Sequence, residues 1–189
     1  TRGGLVQSQD TQTEGSDFLV ETVPVGKHYD YDVTAFMLAP FAALEWQTAT
    51  WNVSLGGRYE RLAYDYTNNM IDGRTRDDGT ECGFGGCRYS RPASGKNSFS
   101  NTSPKFGVSY KVNNNNTLYA NFSRGYRAPQ AAELYQLQRE QTTADLNPEI
   151  ANNAELGLKG YYSNVSYALA VYAMSKHNTI YRDSDFFNV

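Results

Sequence analysis

The densest set of side chains able to do chemistry lies between positions 72 and 91. Asp72, Asp77, Asp78 and Glu81 supply carboxylates. Arg74, Arg76, Arg88 and Arg91 supply guanidinium forks, Tyr89 a phenol and Phe84 an aromatic face. The carboxylates offer oxygen ligands for calcium, but their spacing is not that of a calcium-binding loop, and they read as a solvated loop. Guanidinium forks beside aromatic rings suit an anionic ligand; ordinary surface charge is the competing reading. Arg127, at the head of a second polar stretch, joins them, so the candidate ligand set is Arg74, Arg76, Phe84, Arg88, Tyr89, Arg91 and Arg127. Cys82 and Cys87 enclose Gly83–Gly86 with no histidine near, which makes a poor zinc site. His28 and His177 are isolated, and no Ser–His–Asp or paired-carboxylate arrangement emerges, so neither catalysis nor a cofactor is expected.

The elements that must carry these residues are strands. Fifteen tyrosines, sixteen glycines and many asparagines among 189 residues favour strands and turns. A net charge of −3 gives no footprint for nucleic acid. No run of about 18 apolar residues exists, so a membrane-crossing helix is not expected. The mean hydropathy of −0.62 still suits a membrane barrel, whose lumen and loops are polar. With neither an initiator methionine nor a basic-then-apolar start, the chain reads as an internal piece of a longer protein.

Alternation predicts six strands, over residues 32–46, 51–66, 98–112, 117–125, 152–161 and 165–181. Trp51, Val53, Leu55 and Tyr59 alternate with Asn52, Ser54, Arg58 and Glu60. Phe106, Val108 and Tyr110 alternate with Lys105, Ser109 and Lys111, and Ala154, Leu156 and Leu158 with Asn153, Glu155 and Lys159. Pro40 breaks a ladder bond in the first strand unless it lies at an edge or bulge. Links near Gln47–Thr50, Asn113–Asn116 and Tyr162–Asn164 are short, whereas Thr67–Asn97 and Tyr126–Ala151 are long. Strict alternation of short turns with long loops, on strands long enough to cross at a tilt, defines an antiparallel transmembrane β-barrel segment. Trp46, Trp51, Tyr110, Tyr119, Tyr161, Tyr162 and Tyr167 collect at the short turns. Tyr59, Tyr64, Tyr66, Tyr126 and Tyr181 collect at the other ends, as two interfacial aromatic belts would.

This reading places residues 1–31 in part of an extracellular loop, 32–182 in the barrel segment and 183–189 at the start of the next loop. An outer-membrane protein passes through an oxidising compartment, so a Cys82–Cys87 disulfide is expected. It would pin a loop tip and present Phe84. Arg124 shares a face with Leu118 and Phe122, about 18 Å above the short turn, where it would meet anionic headgroups of outer-membrane lipid and lipopolysaccharide. The alternative is a rim residue bonded to neighbouring loops. Arg58, Lys105, Lys111 and Lys159 on the lumen side are expected to pair with Glu60, Glu155 or a filling domain.

The segments SPKFGVSY (Ser103–Tyr110), LYANFSRGYRAP (Leu118–Pro129), LNPE (Leu146–Glu149) and NAELGLKG (Asn153–Gly160) resemble, in order and spacing, the β-barrel of TonB-dependent outer-membrane receptors. FAALEW (Phe41–Trp46) and LGGRYE (Leu55–Glu60) resemble the preceding hairpin. The resemblance marks Arg124, Gly125, Tyr126, Pro129, Asn147, Pro148, Glu149, Glu155 and Gly157 as motif positions. It implies a bacterial outer-membrane barrel of about 22 strands, of which six are about a quarter. It further implies a plug domain, lying outside this chain, that contacts the inner-membrane TonB energy-coupling complex, and a scarce ligand, most often a ferric siderophore. A passive porin or adhesin barrel and a soluble carbohydrate-binding β-sandwich are the rival readings.

Overall fold

The structure is a computed structural model that describes residues 2–7, 16–139 and 146–181. In chain order the elements are β1 (Arg2–Gln7), α1 (Asp17–Thr22), β2 (Gly26–Leu38), β3 (Phe41–Gln47), β4 (Trp51–Asn68) and β5 (Tyr89–Ser90). Then come β6 (Gly95–Asn113), β7 (Asn116–Arg127), α2 (Ala131–Tyr135), β8 (Leu137–Gln138), β9 (Glu149–Tyr162) and β10 (Val165–His177). The main sheet runs β1-β2-β4-β6-β7-β9-β10, with β3 continuing β2 along β4. Every pairing in it is antiparallel. The fold is the all-β wall of a transmembrane barrel.

Turn chemistry sets the short connections. Thr48 Oγ1 accepts the Trp51 N–H at 2.9 Å, and Asn113 Oδ1 accepts the Asn115 N–H at 2.9 Å. Ser163 takes a positive φ of 56° to close β9 onto β10. Pro40 divides the first expected strand into β2 and β3 without changing register: Leu38 faces Arg61 and Phe41 faces Arg58. The proline has no N–H, but its carbonyl still accepts from Tyr59 N at 3.0 Å. β1 covers β2 only from Gly26 to Asp32, so Pro40 lies where β2 and β3 have β4 alone as a neighbour among the described residues.

Residues 1–31, expected as loop, hold β1, α1 and the first turns of the β2 ladder. Arg2–Gln7 alternates too little to be legible, yet it pairs along the polar upper part of β2. The expected start of an outer loop at 183–189 lies outside the described residues.

Residues directly opposite in an antiparallel ladder share a face, so the register assigns every side chain to lipid or lumen. One row runs Leu55–Phe106–Phe122–Ala154–Ala173, another Val53–Val108–Ala120–Leu156–Val171. These side chains form the outer face, and Leu55, Phe106, Phe122, Leu156 and Val171 are all exposed. The opposite face carries Ser54, Gly107, Asn121, Glu155 and Tyr172 in one row. The same parity corrects the aromatic belts. Trp51 and Tyr110 face outward with ring centroids 4.5 Å apart. Tyr119 and Tyr161, paired with inward Gly157 and Ser166, face the lumen instead.

At a tilt near 40° each residue rises about 2.5 Å, so an apolar band of about 25 Å occupies roughly ten residues above the short turns. β4 and β6, at 18 and 19 residues, therefore continue past the membrane into the loop region. There Tyr64 and Tyr66 turn inward. With Tyr29, Tyr31, Val33, Leu134, Tyr135 and Leu146 they form the aromatic core that seats α2 against the upper wall. Tyr66 and Tyr135 stack at 4.1 Å with planes 13° apart. Tyr135 Oη donates to Asn97 Oδ1 at 2.7 Å, and Tyr64 Oη to the Pro129 carbonyl at 3.2 Å.

Candidate ligand-binding site

The two long loops meet above this core. β5 pairs with β8, Tyr89 against Gln138 and Ser90 against Leu137, which ties the loop after β4 to the loop after β7. The Tyr29 hydroxyl donates to the Leu137 carbonyl from below. Tyr89, from the candidate set, packs its ring on His28 at 4.9 Å and Tyr29 at 5.5 Å. His28 is buried, and burial followed by the charge of Arg91 lowers its pKa below the usual 6.5. The imidazole is therefore neutral at physiological pH.

Arg91 was expected to face ligand, but only 2% of it is exposed. It donates to the Ile71 carbonyl at 2.6 Å, to the carbonyl and hydroxyl of Thr75 at 2.8 and 2.7 Å, and to the His28 carbonyl at 3.4 Å. By bonding the carbonyls of three separate segments, Arg91 holds the loop's own fold. Arg127 is held by two carboxylates. It donates to Glu149 Oε2 at 2.8 Å and, through both terminal nitrogens, to Glu133 at 3.1 Å. Glu149 also accepts the Ile180 N–H at 2.9 Å and lies 3.5 Å from Lys176. The hydrogen bond from Arg127, then that from Ile180, holds the Glu149 carboxyl at about 2, well below its ordinary value. Arg127, Glu133 and Glu149 thus staple the strand exit at Tyr126–Pro129 to α2 and to the start of β9. Asn147 precedes that staple, and Pro148 accepts the Asn178 amide at 3.2 Å.

Cys82 and Cys87 form the expected disulfide, with Cα atoms 4.9 Å apart. Phe84, Gly85 and Gly86 inside it all take positive φ, a run that needs glycine at most positions. The turn presents Phe84, 65% exposed, with its ring edge-on to Phe18 at 5.4 Å. Arg74 supports the turn, Nε donating to the Cys87 carbonyl at 2.9 Å. Arg88 Nε reaches Gln138 at 3.4 Å. These residues line an open cleft of about 420 Å³ with Phe18, Thr22 and Arg139. Of the candidate set, Arg74, Phe84 and Arg88 converge here. Arg76, on the neighbouring 76–79 turn, and Tyr89, Arg91 and Arg127 do not line it. Phe18 and Arg139 were missed: one sits on a helix in a stretch read as loop, the other in a strand-free polar run.

The carboxylates disperse. Asp72 accepts from Asn68 at 2.8 Å, Asp77 from Lys27 N at 3.3 Å and Asp78 from Thr80 at 2.7 Å. Among the described residues no three Asp, Glu, His or Cys side chains form a metal-holding group.

Along the lumen wall Tyr119 donates to Glu155 at 2.7 Å, its ring lying on Gly157, where any side chain would collide with it. Lys159 Nζ stands 5.9 Å from the same ring, and Arg58 pairs with Glu60 at 2.8 Å. Arg124 shares the outward parity of Phe122 and sits opposite Asn152. The β6–β7 ladder ends at Lys105–Ser123, one residue short of Pro104, and there Arg124 Nε and the Tyr126 hydroxyl are buried without a protein partner. A Cβ added at Gly125, between them, would meet the Ala151 carbonyl at 3.8 Å, an ordinary contact.

A curved antiparallel wall with an apolar outer face, a polar inner face and a loop vestibule at one end defines an outer-membrane barrel. The TonB dependent receptor-like β-barrel family matches residues 3–189, and the chain belongs to that family. A search of the curated proteins finds no match. The family consists of bacterial outer-membrane receptors and transporters, which engage a transported ligand outside and the TonB protein inside.

Proposed function

We propose that this chain forms the vestibule side of an energy-coupled receptor for ferric siderophores. The observation that carries this reading is the cleft between α1, the disulfide turn and Arg139. It sets three guanidinium groups and two aromatic rings around one opening. Such a lining attracts an anionic chelate by charge, and the aromatic rings of its catecholate arms by stacking. Transport would need no bond made or broken here; entry would follow movement of a plug driven through TonB. The outer face would contact membrane lipid, with Arg124 at the headgroup level.

The test is titration of the intact receptor with ferric catecholate and ferric hydroxamate chelates, followed by tryptophan fluorescence. Arg88→Gln and Phe84→Ala are each expected to weaken binding roughly tenfold, the worth of one charged hydrogen bond or one ring contact. Uptake of the bound chelate is expected to stop when TonB is deleted. Uptake that persists without TonB would favour a passive pore and end the proposal.

A further inference from the structure

His28 lies under the junction of the two long loops, above the membrane-crossing part of the wall, and ligand capture in the cleft makes no use of it. Only 3% of it is exposed, and its Nε2 is buried without a hydrogen-bond partner among the described residues. The Tyr89 ring covers the imidazole, with centroids 4.9 Å apart. Arg91 closes the pocket, donating through Nη1 to the carbonyl of His28 itself at 3.4 Å. A neutral ring leaves one lone pair unmet here. An imidazolium would leave a charged N–H unmet, which costs more.

The groups around the ring set its response to acid. The loop after β4 brings the Asp77 carboxylate, β5 the Tyr89 phenol, and the residue after β5 the Arg91 guanidinium. On β2 itself Lys27 and Asp30 pair with each other at 2.8 Å. Leu5 and Val6 of β1, which pair with Tyr29 and Lys27, are uncharged. The link from α1 presents the Pro24 backbone. Burial and then Arg91 hold the proton off, and Pro24 and Asp77 offset them only in part. Asp77 is exposed, so water screens it.

Backbone joins this ring to the ligand cleft. Tyr89 directly follows Arg88, which lines the cleft, and the Arg88 N–H donates to the Thr22 carbonyl of α1 at 2.8 Å. Gly73 and Arg91 exchange backbone bonds at 2.8 and 3.0 Å, which ties the 71–81 turn to the same segment. β5 has only two residues, so the seat of Tyr89 on His28 and Tyr29 fixes much of its placement.

We propose that His28 is an acid-released latch beneath the cleft: its protonation expels the ring from under Tyr89, loosens β5 on β2 and separates Arg88 from α1. The effect on ligand rests on the cleft being the binding site; the latch itself does not. α2 and β8 stay in place, because Leu134 and Leu137 are fully buried. The closed junction excludes the proton and the open one admits it. An exposed histidine titrates near 6.5, so the closed form keeps its full advantage above that pH. Below it, that advantage falls about tenfold for each pH unit, until the lowered value of the closed form is reached.

The test uses the full-length receptor in detergent. Amide hydrogen exchange over residues 71–91, corrected for the intrinsic effect of pH, is read beside titration with a ferric catecholate. Between pH 7.5 and 5 exchange should rise in the wild type by up to about 30-fold and stay level in His28→Phe, which keeps a ring without a titrating nitrogen. Residues 127–139 should not respond in this range. Asp77→Asn removes a carboxylate that favours the proton in the closed form, so the acid rise should grow; this variant keeps the test decisive if His28→Phe loses the heat-modified gel shift of a folded barrel. The two receptors should bind the chelate equally at pH 7.5, and the wild type several-fold more weakly than His28→Phe at pH 5. The acid chemistry of the chelate is common to both and cancels. No rise in the wild type, or an equal rise in His28→Phe, would overturn the proposal. Failure of every form to bind chelate would overturn the vestibule reading alone, since exchange reads the latch without ligand.

Discussion

Glu149→Gln tests the staple at the vestibule floor. Glu149 sits above the membrane-spanning part of β9 and is 8% exposed. A carboxyl held at about 2 instead of 4.5 corresponds to at most about 3 kcal/mol, at 1.36 kcal/mol per pH unit. Solvent reaches Arg127, whose side chain is 37% exposed, and screening brings the expected contribution to about 1–2 kcal/mol. Because the folded-state pKa is depressed, this stabilisation is complete above pH 4.5 and is lost as pH falls toward 2. Arg127 and Glu149 are the last pair of the β7–β9 ladder and tie α2 to it, so loss of the staple should appear locally. Amide hydrogen exchange of the intact receptor is the assay, read over residues 127–139 and 146–151. Glu149→Gln should speed exchange there by roughly 5–30-fold and leave the lower wall unchanged. The wild-type receptor should reach the variant's rate only near pH 2. Exchange in the variant equal to wild type at pH 7, or a wild-type transition near neutral pH, would refute the assignment of that carboxylate.

Three further outcomes follow from the same geometry. Gly157→Ala places a methyl inside the Tyr119 ring, so the ring must leave Glu155; the barrel's unfolding midpoint should fall, and the effect should largely vanish in a Tyr119→Ala background. Replacing Cys82 and Cys87 by serine removes a short loop closure worth about 2 kcal/mol to the turn. Limited proteolysis between Gly79 and Arg88 should become faster, while the barrel's unfolding midpoint stays fixed. Single cysteines at Val53 and Leu55 should react with a lipid-restricted probe, and those at Ser54 and Arg58 should not, since the register separates the two pairs by face.

The wall was legible because side-chain parity is written directly in the order of residues. Trp51–Tyr59 and Lys105–Tyr110 alternate so cleanly that only one face of each can meet lipid. The disulfide was legible for a related reason: two cysteines around a glycine-rich turn have few other uses in an oxidising compartment. The vestibule was not legible, because its arginines are distinguished by partners remote in sequence. Nothing local separates Arg91, enclosed by the carbonyls of His28, Ile71 and Thr75, from Arg88, which lines the cleft. Arg127 reads as a loop cation until Glu133 and Glu149 are seen to converge on it. Height alone puts Tyr64 and Tyr66 in a belt, whereas parity sends them inward to Tyr135.

Parity also gives depth, which alternation alone does not. The outward positions of β4 stay apolar or aromatic from Trp51 to Tyr59 and then turn to Arg61 and Asp65; those of β6 turn from Phe106 to Thr102, Ser100 and Ser98. On β7 and β9 the change falls at Arg124, opposite Asn152, and on β10 at Ser175. Five neighbouring strands change character along one oblique line, as a tilted wall crossing a flat hydrocarbon boundary must. Strand length beyond that line cannot be serving the membrane. The upper turns of β4 and β6 instead carry Tyr64, Tyr66, Asn97 and Phe99, the inward residues on which α2 and the two long loops are built.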